Sequence, residues 1–190
     1  ALPISKEYLP DNACKRKVGN HNNNDLHPYC YKVKWRINGA TETNIFRNVV
    51  FTGGSHDLSG IFSFIDQQDI ANIINLRYAG IVEVALGFNQ WKGINLDGFG
   101  GLIPSGEQRN LLGVLYISTL FEGRAPHGGA LLNVFMGGVR TENVINLPDD
   151  KIEDIVRGEI SELMRLTEFK PDLFRILRYK HAIPQYEVSS

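Results

Sequence analysis

LLGVLYISTLFEGRAPHGGALLNVFMGG, residues 111–138, decides the fold class. LLGVLYIS (111–118) and ALLNVFMGG (130–138) are rich in β-branched and aromatic residues, which suit a pleated, half-buried surface. The most apolar part, Leu111 to Phe121, spans 11 residues and carries Ser118 and Thr119. A membrane-spanning helix needs ~20 apolar residues, so this is strand rather than span. Upstream, IVEVALGF (81–88) alternates, with Val82, Val84 and Leu86 on one side. Phe99 to Pro104 reads as a short, glycine-flanked strand. Downstream, Asp149 to Leu166 reads as the clearest helix, with Ile152, Ile155, Val156, Ile160, Leu163 and Met164 as its apolar stripe. Pro148 and Asp149-Asp150 mark its start, and Asp150 with Glu153 resembles a capping box. A last strand is expected over Leu173 to Tyr179.

Further toward the N-terminus, Ser55 to Ile65 and Gln68 to Leu76 carry apolar residues at helical spacing. YCYKVKWR (29–36) alternates as a strand, Asn38-Gly39 is a hairpin-turn dipeptide, and Ile45 to Thr52 is read as the partner strand. Residues 1–28 are polar, with KRK at 15–17 and GNHNNNDLHP at 19–28, and are expected to form a poorly ordered arm. The remainder, 29–190, is expected to be one domain. No internal repeat is found. Strands with separated helical segments give an α+β class, with a mixed, mostly antiparallel sheet and helices packed on it.

The chain has 190 residues, 43% of them hydrophobic and 22% charged, which is an ordinary globular composition. Lys plus Arg number 20 against 21 Asp plus Glu, for a net charge of −1. That balance argues against nucleic-acid binding. Two cysteines are too few for a disulfide scaffold, although one bridge between them is open. No basic segment followed by an apolar run opens the sequence, so no signal peptide is expected, and a reducing, cytoplasmic location is the default.

Several constellations invite chemistry and are weighed against plainer readings. Cys14, His21, His27 and Cys30 are of zinc-ligating types, but their spacing fits no standard module, and a polar arm explains them better. Ser55-His56-Asp57 holds three triad residue types in consecutive positions. A triad depends on spatial geometry, so a helix N-cap is the better reading. GFGGLIPSG (98–106) fails as a dinucleotide fingerprint: Gly98 and Gly100 fit, but Ile103 stands where the third glycine should be. A glycine-rich strand packing against a flat ligand or another backbone is the alternative. Arg77, Arg109, Arg124 and Arg140 could each clamp a carboxylate, but a solvated rim is the commoner role.

From about Tyr31 to Ser190 the sequence resembles the FAD-dependent protoporphyrinogen and coproporphyrinogen oxidases of haem synthesis, within the flavin amine oxidase superfamily. The resemblance rests on an ordered set: VVFTGG (49–54), LRYAGIVEVALGF (76–88), LDGFGGLIPSGEQRNLLGVLYISTLFEGRAP (96–126), LLNVFMGG (131–138) and HAIPQY (181–186). It implies the fold of that superfamily's substrate-binding domain. It implies a flavin that removes six hydrogens from a porphyrinogen in three two-electron steps, with the protein positioning the ring. Phe99, Gly100, Gly101, Leu102 and Phe135 would contact the macrocycle. Thr52, Gly53, Pro184, Gln185 and Tyr186 would lie beside FAD, in flavin-domain segments near 45–54 and 181–190. The family's G-x-G-x-x-G turn and its early substrate-facing arginine are not found in these residues. The expectation is therefore an internal piece of the enzyme, inactive and without bound FAD when alone. Its partners would be a porphyrinogen or porphyrin, itself, or a missing FAD-binding domain, in the cytoplasm or at the inner face of a membrane. The alternative is a stand-alone tetrapyrrole- or partner-binding module without catalysis. A superfamily member acting on an amine or carotenoid is a third reading, against which GFGGLIPS argues.

Overall fold

The computed structural model describes residues 5–8 and 29–186. The described residues divide into two compact units, one up to Leu76 and the other Arg77–Tyr186.

The first unit contains a three-stranded antiparallel sheet of β1 (Ser5–Tyr8), β2 (Tyr29–Ile37) and β3 (Ala40–Phe46), in that order. Strand β1 falls inside the stretch read as an arm and pairs with the start of β2; residues 9–28 lie outside the described residues. The partner of β2 begins five residues earlier than Ile45, because Asn38 and Gly39 both take positive φ (49° and 83°) and return the chain at once, pairing Ile37 with Ala40. This is the two-residue turn whose twist matches that of the strands. Two short helices follow, α1 (Leu58–Ile61) and α2 (Gln67–Ile74). Asp66 caps α2 by accepting from the Gln68 amide at 2.9 Å. Phe62 and Ile70 are buried, and Phe62 meets Phe51 and Phe64 edge-on, with ring centroids 5.5 and 5.9 Å apart.

The second unit is built on a five-stranded sheet. In chain order it has β4 (Tyr78–Phe88), β5 (Gly100–Leu102), β6 (Leu111–Tyr116), the one-turn helix α3 (Ile117–Leu120), β7 (Ala130–Gly137), a 3-10 stretch Val139–Asn146, α4 (Asp149–Leu163) and β8 (Leu173–Pro184). The strand order is β5-β6-β7-β4-β8, and every neighbouring pair is antiparallel. The α+β expectation holds, and β8 runs on past Tyr179 to Pro184, taking in most of the HAIPQY segment.

Period-two alternation sorts the strands onto two faces. Val82, Val84 and Leu86 of β4, Leu132, Val134 and Met136 of β7, and Val114 of β6 point to one side and are buried. Helix α4 covers that side with Ile152, Val156 and Ile160, each fully buried in the same cluster. Each such side chain contributes about 1.5–3 kcal/mol of burial. The start of α4 is corrected: Pro148 is its N-cap, so Asp149 and Asp150 sit in the first turn and no capping box forms. Asp149 instead accepts from Arg178 of β8 at 2.6 Å. At the other end the helix stops at Leu163 rather than Leu166. Arg165 turns left-handed (φ 52°), and its amide and that of Leu166 reach back to Glu162 and Ser161. The carboxylate of Glu159 accepts from the Asn110 amide (2.9 Å), the Asn110 side chain (2.8 Å) and the Leu111 amide (3.3 Å), so α4 is also tied to the β5–β6 loop.

Candidate functional site

The sheet face opposite α4 is not covered by a helix of its own unit. There Ile81 and Glu83 of β4, Leu102 of β5, Leu115 of β6, Phe135 of β7 and Tyr179 of β8 line a cavity of about 360 Å³. That lies in the size range of ligand sites, ~300–1,000 Å³. The register explains the grouping: Glu83 pairs with Phe135, Ile81 with Tyr179, and Gly113, beside Leu115, with Phe135. Odd-numbered positions of β4 and β7 share this face because even-numbered ones are spent on the α4 core. One hydrogen-bonded polar pair sits on the face, with the Asn133 amide nitrogen (Nδ2) donating to Glu83 Oε1.

Of the residues expected at the macrocycle, Leu102 and Phe135 line the cavity together. Gly100 and Gly101 occupy β5 beside Leu102 but differ in surroundings. A Cβ on Gly100, where φ is +123°, would sit 2.0 Å from the Val114 carbonyl oxygen, whereas one on Gly101 would meet open space. Gly100 therefore serves backbone-to-backbone packing, and Gly101 leaves room in front of the strand. Phe99 is 75% exposed and outside the cavity lining, with its carbonyl accepting from the Tyr116 amide at 2.9 Å. Glu83, Ile81, Leu115 and Tyr179 were not singled out from the sequence. The signal was present in IVEVALGF, where the residues between the core valines form a second face with one carboxylate.

The residues expected beside FAD belong to different units. Thr52 and Gly53 are exposed in the irregular stretch between β3 and α1. Pro184 closes β8, the Gln185 amide donates to the Arg77 carbonyl at 2.8 Å, and Tyr186 is 89% exposed. Neither glycine-rich segment fits a dinucleotide phosphate. Gly98–Gly106 runs into β5 and a single 3-10 turn, and Gly53-Gly54 into a 3-10 turn and a four-residue helix. The phosphate cradle of a dinucleotide-binding turn uses backbone amides at the N-terminus of a sustained helix. Neither segment therefore offers a helix N-terminal cradle for the phosphates of FAD.

The remaining candidates take structural roles or stay apart from the cavity. Arg109 is held by Glu162 through two parallel hydrogen bonds of 3.0 and 2.7 Å. That bond, reinforced by charge, holds the Glu162 carboxyl below its ordinary pKa and raises that of Arg109. Arg77 pairs with Glu142. Arg124 lies over the Phe121 ring, 5.8 Å from its centroid. Arg140 and Arg124 line two further hollows, of about 480 and 360 Å³, that contain no residue of the expected macrocycle set. Ser55 is buried inside a 3-10 turn whose N-cap is Gly54, so Ser55 is not the cap; His56 Nε2 lies 3.7 Å from Asp57 Oδ2. Cys30 is buried and disulfide-bonded, which removes its sulfur from a metal set; Cys14, His21 and His27 lie outside the described residues. No group of three or more His, Cys, Asp or Glu among the described residues is placed to hold a metal. No helix among them is long and apolar enough to cross a membrane.

With this geometry in view, comparison with known proteins identifies the class. Residues 31–184 match the family described as flavin containing amine oxidoreductase, and the chain belongs to that family. Among curated relatives, mitochondrial protoporphyrinogen oxidase of Nicotiana tabacum is 33% identical over 94 residues, covering 48% of this chain and 18% of the relative. Chloroplastic protoporphyrinogen oxidase 1 of Arabidopsis thaliana is 26% identical over 183 residues, covering 83% and 34%. Coproporphyrinogen III oxidase of Bacillus subtilis is 23% identical over 142 residues, covering 74% and 30%. The chain thus spans about a third of these relatives' length or less. A crystal structure from Exiguobacterium sp., provisionally described as a protoporphyrinogen oxidase, superposes with a TM-score of 0.59 at 16% identity. It covers 84% of this chain and 33% of that one, and shows that the fold is shared.

Proposed function

We propose that this chain is the substrate-side part of a porphyrinogen oxidase, with the open sheet face holding the tetrapyrrole. The observation that carries the reading is the apolar cavity on which Leu102 and Phe135 converge from β5 and β7. A tetrapyrrole is a broad, largely apolar ring, and aliphatic and aromatic walls with a bare glycine strand alongside suit it. Membership of the flavin family and the names of the relatives support the same chemistry. The reaction would be the six-electron oxidation of protoporphyrinogen IX or coproporphyrinogen III to the porphyrin. FAD would supply the electron acceptor; the residues described here would orient the ring and keep water from one of its faces. Because neither glycine-rich segment offers a helix N-terminal phosphate cradle, the chain is expected not to turn over alone.

The test is absorption titration with protoporphyrin IX and coproporphyrin III. A shifted Soret band and a dissociation constant in the micromolar range or tighter, about −8 kcal/mol, are expected. Gly101→Trp should fill the space in front of β5, weakening binding by about tenfold or more, equivalent to ~1.4 kcal/mol, at unchanged melting temperature. Absence of any spectral shift with both porphyrins would overturn the reading. Oxygen-dependent porphyrin formation by the chain plus FAD would overturn its inactivity alone.

A further inference from the structure

We infer that Glu83 is the residue by which this cavity distinguishes a reduced tetrapyrrole from its oxidised product; the inference rests on the tetrapyrrole reading above. Glu83 lies on β4, an interior strand with β7 on one side and β8 on the other, and it is half-buried. Its neighbours on the cavity face are Ile81, Leu115, Phe135 and Tyr179. The sheet gains nothing obvious from a carboxylate there, since a partly desolvated carboxylate costs free energy unless hydrogen-bonded. Asn133 occupies only one oxygen, Oε1, and fixes the side chain against the floor. Among the described residues, Oε2 receives no hydrogen bond.

An ionised carboxylate accepts hydrogen bonds and donates none. A porphyrinogen suits it. Its bridging carbons are sp³, so the four pyrroles tilt independently and can turn their four N–H groups to one side of the ring. The oxidised porphyrin is flat and conjugated, and its two remaining N–H groups point toward the centre of its own plane. Only the reduced ring can therefore present donors to an acceptor beneath it. A charge-assisted bond of this kind is shorter and about twice as strong as one between neutral groups. Oxidation would withdraw the donors and leave Glu83 facing an apolar ring, which favours release of the product over the substrate.

The experiment is anaerobic calorimetric titration of the 190-residue chain with coproporphyrinogen III and, separately, with coproporphyrin III. The wild-type chain should bind the reduced ring about tenfold more tightly, the size expected of one charge-assisted hydrogen bond. Glu83→Leu should abolish that preference by weakening the reduced ring alone, and Glu83→Gln should leave an intermediate ratio. Melting curves accompany each variant, and Glu83→Gln carries the comparison if Glu83→Leu fails to fold. Equal binding of both rings by the wild type would overturn the inference and leave the proposed function standing. Parallel weakening of both rings in the variants would also overturn it, since that is the mark of a merely structural pair. Failure of the wild type to bind either ring would overturn the proposed function itself.

Discussion

Gly100 and Gly101 are neighbours with opposite requirements. Alanine at 100 would drive its Cβ to 2.0 Å from the Val114 carbonyl oxygen at a φ of +123°, and both the clash and the backbone strain oppose folding. Gly100→Ala should therefore cost at least ~2 kcal/mol in urea unfolding, within the range of strained-backbone mutants. Gly101→Ala meets open space and should unfold like the wild type. Equal stabilities for the two variants would contradict the β5–β6 register. At the end of α4, Arg165 holds the left-handed position that glycine usually fills, at φ 52°. Arg165→Gly should raise stability by roughly 0.5–1 kcal/mol, read as a higher urea midpoint with an unchanged slope. The sequence shows a run of glycines at 98–101 but not which of them is obligatory. That depends on the carbonyl of Val114, thirteen or more residues away, and on a pairing no local pattern encodes.

Helix α4 both fills the core and ties the sheet to the β5–β6 loop. Its stripe was legible because 3.6-residue spacing needs no partner to be recognised, and Ile152, Val156 and Ile160 are indeed fully buried. Its first turn was less legible. Three residues, Pro148, Asp149 and Asp150, are all acceptable near a helix start, and the choice was made by Arg178 of β8 bonding to Asp149 and to the Ile145 and Leu147 carbonyls. Ile152→Ala should cost about 2–5 kcal/mol through the void it leaves beneath the sheet, measured by denaturant unfolding. The Arg109–Glu162 pair tests the tie between α4 and the β5–β6 loop. Since the folded pKa of Glu162 is depressed, its contribution is present above the ordinary carboxylate range. It is lost as pH falls through the depressed value. The pair is exposed enough for salt to screen it. Glu162→Gln should lower the melting temperature slightly at neutral pH and low salt, and match the wild type in strong acid. A deficit that persists unchanged in acid would assign the effect to something other than this charge.

For the whole chain, a single asymmetry governs what it can do: one sheet face is filled by α4 and the other presents apolar side chains around a cavity. The alternation of IVEVALGF revealed the filled face, because valine and leucine at every second position declare a core. The open face was read only in part: the resemblance pointed to Leu102 and Phe135, whereas Ile81, Glu83, Leu115 and Tyr179 are separated by core residues in sequence and come together only through the strand order β5-β6-β7-β4-β8. Leu102 and Ile183 of the lining are 86% and 49% exposed, and Phe99 outside it is 75% exposed, so the second unit carries apolar surface around the cavity as well as within it. Such surface marks a site that something covers. If the occupant is a tetrapyrrole, adding protoporphyrin IX should quench any self-association of the chain. If the occupant is a flavin-bearing protein surface, porphyrin should leave association unchanged. Sedimentation velocity with absorbance at the flavin and Soret wavelengths separates these, after incubation with FAD and desalting. The expected result is a chain without flavin bands that self-associates weakly when empty and sediments as a monomer carrying Soret absorbance when porphyrin is bound. Retained flavin would mean that the chain completes a cofactor site that neither glycine-rich segment provides by itself, and the expectation of inactivity would fall with it.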